Sequence, residues 1–528
     1  MNFRRAAAAL LCISMLIAGC TRQDMSQQDL DMQMIEQAPV SSISSSSVQE
    51  QTVLRLPVLD SGDHNPFSTA GVYPSITPLL YQSLYRLDEK YRPHAQLAES
   101  IAYEEGGYLC VVTVREDICF SDGTPVTAKD VNASLRQALK YPGNFPELCA
   151  VVENCRASEN TVIITLAEPD RNFTSLLTFP VCQSGTQSAD LPIGSGPFIL
   201  DETGSTSLEK NTHYSDSQLN IEAVELIPVT ERESLEYMLK IGAIDFYSIP
   251  DASADSHSYG SNEYFPINRL TFLGVNRKSS SLLAYDDVLL PIKEAMNKEQ
   301  LVSYACGNTA QMTDVPFHPG YWETESLSLK APETTSETSS ESMAEEEPQE
   351  DPFAALIGQF GYDQKDEEGY WIRTYRDTAY RLSFDLLVNT ENDARLQMAQ
   401  LMQEQLADFG VELHIVTKSY TEYLQAIAYQ QYDFYIGETQ LGVNMDLSHL
   451  FTEENSAVLG FFYDPVLYEL ARQLKRGEIG YGEFLAYFEE SGIMEPLFYQ
   501  HGGISYSRNL TASFIEQYRS LLFQIQWY

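Results

Sequence analysis

The residues best able to do chemistry in this chain are scattered rather than grouped. Its eight histidines, His64, His94, His213, His257, His318, His414, His449 and His501, stand singly, with no H-E-x-x-H run and no pair four apart. A zinc hydrolase needs two imidazoles on one helix face, so this pattern speaks against one. There is no G-x-S-x-G elbow to present a serine nucleophile. Carboxylates are plentiful, but a glycosidase pair is made by geometry and not by abundance. Beyond Cys12 and Cys20 the cysteines are Cys110, Cys119, Cys149, Cys155, Cys182 and Cys306. None lies in C-x-x-C spacing, so no zinc site is expected, while disulfides and buried free thiols both remain open. The run Pro192-Ile193-Gly194-Ser195-Gly196-Pro197-Phe198 lacks the spacing of a phosphate-binding loop and reads as a rigid bend. The expectation is a binding protein with no catalytic residue, no metal and no cofactor.

The elements that would position a binding site belong to a long, acidic chain. Its 528 residues imply two or three domains. The net charge of −42 argues against nucleic acid as a partner, which would require clustered Lys and Arg. Arg4 and Arg5 precede an apolar stretch, residues 6–17, that is too short for a spanning helix of about 20 residues. It closes on Leu16-Ile17-Ala18-Gly19-Cys20, which resembles a bacterial lipobox. That resemblance implies a signal peptide over 1–19 and a diacylated Cys20 as the first mature residue. Two acyl chains, at about 0.8 kcal/mol per buried CH₂, suffice for stable anchoring. Residues 20–52 then read as a Gln- and Ser-rich flexible tether.

Folded sequence is expected from Val53 on. Asn65-Pro66-Phe67 reads as a turn and 76–84 as an apolar helix. Val112 and Val114 mark a strand, Ser121-Asp122-Gly123 a turn, and Thr127 with Asp130 a capping box opening a helix over Val131, Leu135 and Leu139. Residues 323–351 hold Ser, Thr and Glu with hardly a large apolar side chain, and read as a disordered insertion. An α/β alternation follows: a strand over 382–388, a helix over 393–409 stopped by Gly410, and a strand over 411–415. A helix over 420–429 and a strand over 432–436 complete it.

Several of these runs together resemble the solute-binding proteins of oligopeptide and dipeptide ABC importers, extracellular family 5. Arg115, Phe120, Asp122, Gly123, Pro125, Thr127, Ala128, Asp130 and Val131 match the opening signature. Residues 192–198, Leu239 to Asp245, and the Gly410-Val411 pair with the helix before it resemble further runs of the same family. The resemblance implies an α/β fold of the type II (cluster C) periplasmic-binding-protein kind, two lobes on a hinge plus an extra domain. The implied division is lobe I from 53–85, 190–270 and 495–528, an additional domain over 86–189, and lobe II over 271–494.

It also implies a cleft. One wall would be the loop Ser68, Thr69, Ala70, Gly71 and Tyr73; the other follows Ile436, with Gly437, Glu438, Thr439, Gln440, Asn444 and Asp446. Here the chain departs from its relatives: Glu438 stands for Trp, and Leu441 where an amine-binding Asp is expected. Glu438 or Asp446 is left as the substitute anchor. The implied function is a monomeric, lipid-anchored protein on the extracytoplasmic face of the cell membrane, delivering peptides or a related small solute to an ABC permease by hinge closure. A non-transport sensor lipoprotein on the same fold and a secreted hydrolase are the alternatives.

Overall fold

A computed structural model describes residues 53–59, 65–68, 76–200, 206–215, 221–249, 251–252, 259–307, 309–324, 351–508 and 510. The signal peptide, Cys20 and its tether, Thr69, Ala70, Gly71, Tyr73 and most of the acidic insertion lie outside these residues.

Strand Val53–Leu59 pairs in parallel with Ala223–Val229, and Ser207–Lys210 and Phe198–Leu200 complete a four-stranded sheet. A second, antiparallel sheet runs Ala98–Glu104, Leu109–Val114, Thr161–Leu166, Val152–Ser158. Its alternating face (Val112, Val114, Val162, Ile164) is buried against helix Ala128–Ala138. That helix starts at the expected capping box: Asp130 accepts from the Thr127 amide at 2.9 Å, and Val131 and Leu135 are fully buried. Gly123 takes φ +82° at the turn before it, a conformation glycine adopts without strain.

The expected helix over 76–84 is shorter. Only Thr77–Leu80 is helical, and Tyr81 turns extended. The backbone beyond is claimed by other segments: Gly196 donates to Leu80 O, Val181 to Gln82 O and Leu97 to Ser83 O. A β carbon at Gly194 or Gly196 would collide with the Leu80 backbone, so the glycines of 192–198 exist for this close approach.

The largest sheet has seven strands, with Phe246–Ile249, Met494–Tyr506, Ser261–Val275, Phe434–Gln440, Ser383–Asn389 and Glu412–Lys418 in spatial order, and Ala310–Met312 on Met494–Tyr506. The last three of the ordered strands are parallel, joined by helices Asp393–Phe409 and Tyr420–Ala428. Both faces are covered. Phe434 and Ile436 pack on Met398, Met402 and Leu406, while Tyr435 packs with Tyr423 and Phe461 on the other side. This explains the unbroken apolar run in a strand that would otherwise alternate.

The two long strands, Ser261–Val275 and Met494–Tyr506, pair with each other almost throughout, with register shifts between Pro266 and Leu270 and between Thr271 and Phe272. Proline has no amide to give a ladder, so the first irregularity falls where the ladder is already weakest. Arg55 meets the buried Asp245 through a fork, Nε to Oδ2 at 3.0 Å and Nη2 to Oδ1 at 2.7 Å. This pair ties the first strand to the start of Phe246–Ile249.

The edges of the acidic insertion belong to the fold. Glu323 accepts from Tyr481 Oη at 2.5 Å, Thr324 is buried, and Asp351 caps helix Pro352–Gln359 by accepting from the Phe353 amide at 3.1 Å. The segment outside the described residues therefore runs from 325 to 350, not from 323 to 351. No disulfide joins Cys110, Cys119, Cys149, Cys155, Cys182 and Cys306. Cys110 and Cys155 sit opposite the same residue, Ile164, from the two strands that flank it, so they cannot meet.

Candidate functional site

Strand Phe434–Gln440 continues beyond Ile436, where the apolar pattern ends, and carries Gly437, Glu438, Thr439 and Gln440 in paired positions opposite Phe272, Thr271, Leu270 and Arg269. Gly437 is required by packing: a β carbon there would lie 2.5 Å from Phe272 Cζ. The group that matters on this strand is Glu438. Its Oε2 is 2.7 Å from Arg395 Nη2 and 2.6 Å from Gln500 Nε2, and its Oε1 is 3.6 Å from Arg269 Nε. Arg269 also reaches Asp251 at 3.8 Å and donates to Gln500 Oε1 at 3.3 Å.

Each partner has a structural origin. Arg395 is in the first turn of Asp393–Phe409, and its side chain is only 9 % exposed because it lies on the same stripe as Met398, Met402 and Leu406. Arg269 lies within the register shift of the long strands, and Gln500 on the strand opposite. Two acceptor- and donor-seeking atoms remain without a hydrogen-bond partner among the described residues, Arg395 Nε and Asn268 Oδ1. A buried donor left unmatched costs about 1–3 kcal/mol. Glu438 already faces two guanidinium groups, and an incoming ammonium would have to displace them.

Asn444 and Asp446 stand elsewhere, at a seam with segment 168–172. Asn444 Nδ2 donates to Asp170 Oδ2 at 2.8 Å, and Asn172 Nδ2 donates to Asn444 O at 3.1 Å. Asp446 pairs with Lys475 Nζ at 2.8 Å, each nearly buried, and accepts from Ser448. Burial pushes the Asp446 carboxyl up, but the Lys475 ammonium and the Ser448 hydrogen bonds outweigh it and hold it below the usual range. Among the described residues no ion pair holds Asp170. Burial, and then the charge of Asp446, push it up to about 6 against the pull of Lys475, Asn172 and Asn444.

A second contact joins the tip of hairpin Tyr85–Leu87/Pro93–Ala95 to residues 316–324. Trp322 N donates to Lys90 O at 3.1 Å, and Arg92 lies 5.5 Å over the Trp322 ring. Tyr91 meets the buried His318 edge-on at 4.9 Å. Burial lowers the His318 pKa to about 4. Of the other sequence-selected wall, Ser68 is described: its carbonyl accepts from Asn144 Nδ2 at 2.9 Å, below a turn in which the Phe67 amide bonds Asn65 Oδ1 at 3.0 Å.

The residues selected for the second wall therefore fall into two groups, Glu438 with its neighbours and Asn444 with Asp446, while Ser68 stands apart against Asn144. Arg269, Arg395, Gln500, Asp170 and Lys475 were not among them. Arg395 alone left a readable signal, an arginine on the apolar stripe of its helix.

This architecture, parallel α/β units on a sheet threaded by two long shared strands, is the type II periplasmic-binding-protein fold. It superposes on the nickel ABC transporter protein from Bacillus halodurans with a TM-score of 0.66 at 20% identity, covering 88% of this chain and 98% of that one. For the unliganded open form of the murein tripeptide binding protein MppA the TM-score is 0.67 at 16% identity, covering 90% and 96%. In sequence, the oligopeptide-binding protein AppA of Bacillus subtilis is 22% identical over 399 residues, 70% of this chain and 69% of AppA. The model for bacterial extracellular solute-binding proteins, family 5, middle region, matches residues 92–452, and the chain belongs to that family.

Proposed function

We propose that this protein is the lipid-anchored binding component of an ABC importer, holding a peptide or a related small solute that offers a carboxylate or carbonyl oxygen to Arg395 and Arg269. Family membership supports import, and the relatives named for oligopeptide and murein tripeptide make a peptide the leading cargo. The observation that carries the choice of solute end is the buried Arg395 Nε, a charged donor without a partner among the described residues. Glu438 serves in this reading to hold the two guanidinium groups in place, not to bind an ammonium. Cys20 anchors the chain on the extracytoplasmic face. The lobes are 53–85 with 190–270 and 495–528, and 271–494, beside an additional domain over 86–189; they close on the solute as a monomer and hand it to the permease.

The test starts from the solute that co-purifies, identified by native mass spectrometry. Calorimetry then compares a peptide of that class with its C-terminal amide. Loss of a charge-assisted hydrogen bond of about 1.5–3 kcal/mol predicts affinity at least tenfold weaker for the amide. Equal affinity of the two, with Arg395→Gln also without effect, sinks the assignment of the solute end.

A further inference from the structure

Segment 168–172 and residues 444–476 meet where two carboxylates share one ammonium. Asp446 is bonded to Lys475 at 2.8 Å, while Asp170 receives Asn172 N and Asn444 Nδ2, each at 2.8 Å. A small cavity between them is lined by Asp170, Asn172, Asn444, Asp446, Lys475 and Tyr481. Asn172 and Asn444 are more than nine-tenths buried, and their amide oxygens have no partner among the described residues.

The other charges around Asp170 are spent. On its own segment, Glu168 lies 2.9 Å from both Arg472 and Arg476 of helix Pro465–Arg476. Arg171 leans on Glu323 at 3.4 Å and over the Tyr481 ring. Tyr481 donates to Glu323, and Tyr103 bonds Thr174 Oγ1 at 2.8 Å. Tyr321, fully buried, faces Asp170 as a neutral phenol. What is left over is Asp170 and Asp446 against Lys475, one negative charge too many for a dry contact. Two amide oxygens there lack a donor; the buried Tyr321 hydroxyl, also without a partner among the described residues, and a carboxyl proton on Asp170 are the donors at hand. The backbone adds to the picture: Met445, between Asn444 and Asp446, sits at φ +53°, a strained conformation for a side chain of its size.

We propose that this seam is a proton-operated latch: Asp170 takes a proton from solvent when the two segments meet, donates it to one of the free amide oxygens, and returns it to solvent when they part. The inference rests on the hinge closure proposed above. The sign follows from the raised carboxyl: the stabilisation is full below about pH 4 and is lost as the pH rises through about 6. A displacement of about two pH units weakens the contact up to about a hundredfold at alkaline pH.

Hydrogen–deuterium exchange on the whole, unliganded protein tests this, with rates corrected for intrinsic pH dependence. Peptides covering 168–172 and 444–448 are expected to be at least tenfold better protected at pH 5 than at pH 8, with a midpoint near 6. In Asp170→Asn the difference should vanish. Equal protection at both pH values, or a difference that survives in Asp170→Asn, overturns the latch. So does protection restored at pH 8 by added sodium, since a cation and not a proton would then neutralise the seam. Should that variant fail to fold, the wild-type midpoint decides, and a value below 4.5 or above 7.5 overturns it. The measurement needs no solute: a protein that keeps this profile but binds no peptide refutes the proposed cargo alone, and a peptide binder with a flat profile refutes the latch alone.

Discussion

Glu438 is held on three sides, by Arg395, Gln500 and Arg269, at 2.7, 2.6 and 3.6 Å. Its charge is already paired with two guanidinium groups in this structure, and under the function proposed above it orients them instead of binding an amine. Removing the charge while keeping the shape, Glu438→Gln, takes the bonded carboxylate from Arg395 and leaves Arg269 with Asp251 alone. The expected cost is about 1–3 kcal/mol, moderated by the partial exposure of the site, and is measured by urea unfolding. The same variant is expected to bind a carboxylate-bearing solute no more weakly than wild type. A large loss of affinity for an amine with no carboxylate would return Glu438 to the anchor role. Asp446→Ala should cost more, about 3 kcal/mol, because Lys475 is then left buried without its bonded carboxylate. None of these partnerships could be read from the sequence: Arg269, Arg395, Glu438 and Gln500 are brought together from four separate elements, and only the fold sets their distances.

Elements fared differently according to what holds them. Helix Asp393–Phe409 ends where its 3–4 spacing and Gly410 say it must, and Gly410 takes φ +94° as a C-terminal stop. The capping box at Thr127 is equally local, and equally legible. The stretch after Leu80 is not: its helical pattern is overruled by three tertiary backbone bonds. Strand Phe434–Gln440 outruns its apolar signal because its last four residues pair at the polar end of the sheet, where hydrophobicity no longer marks a strand. The acidic insertion makes a prediction at this scale. Replacing 325–350 by a short Gly-Ser linker should leave the melting temperature within about a degree. Extending the deletion to 323–351 should lower it, since it removes the Asp351 cap, worth about 1 kcal/mol, and the Glu323 contacts. The hairpin contact makes another. His318, lowered to about 4, favours the neutral ring in the folded state, so its contribution is present above about 6.5 and lost as the pH falls toward 4. In His318→Gln that acid-side loss should disappear from the melting profile.

For the whole molecule, composition and motif excluded more than they located. A net charge of −42 argues against nucleic acid, and the family signature anticipated the α/β fold that the structure displays. Burial pushes the thiols of Cys110 and Cys306 up to about 12, and that of Cys182 well above its ordinary value. Together with the absence of disulfides among the described residues, this predicts a melting temperature indifferent to reductant and slow alkylation of these three in the native state. A fall on adding dithiothreitol would show a bond that the structure lacks. The paired strands Ser261–Val275 and Met494–Tyr506 carry one last implication, for mechanics. A continuous ladder is stiff to sliding, since slippage would break many hydrogen bonds together, yet it yields to torsion about its own axis. Under the hinge closure proposed above, the ribbon, softened by the register shifts at Pro266/Leu270 and Thr271/Phe272, would act as a torsion bar that favours one rotation over translation, so that solute entry and exit would retrace a single path.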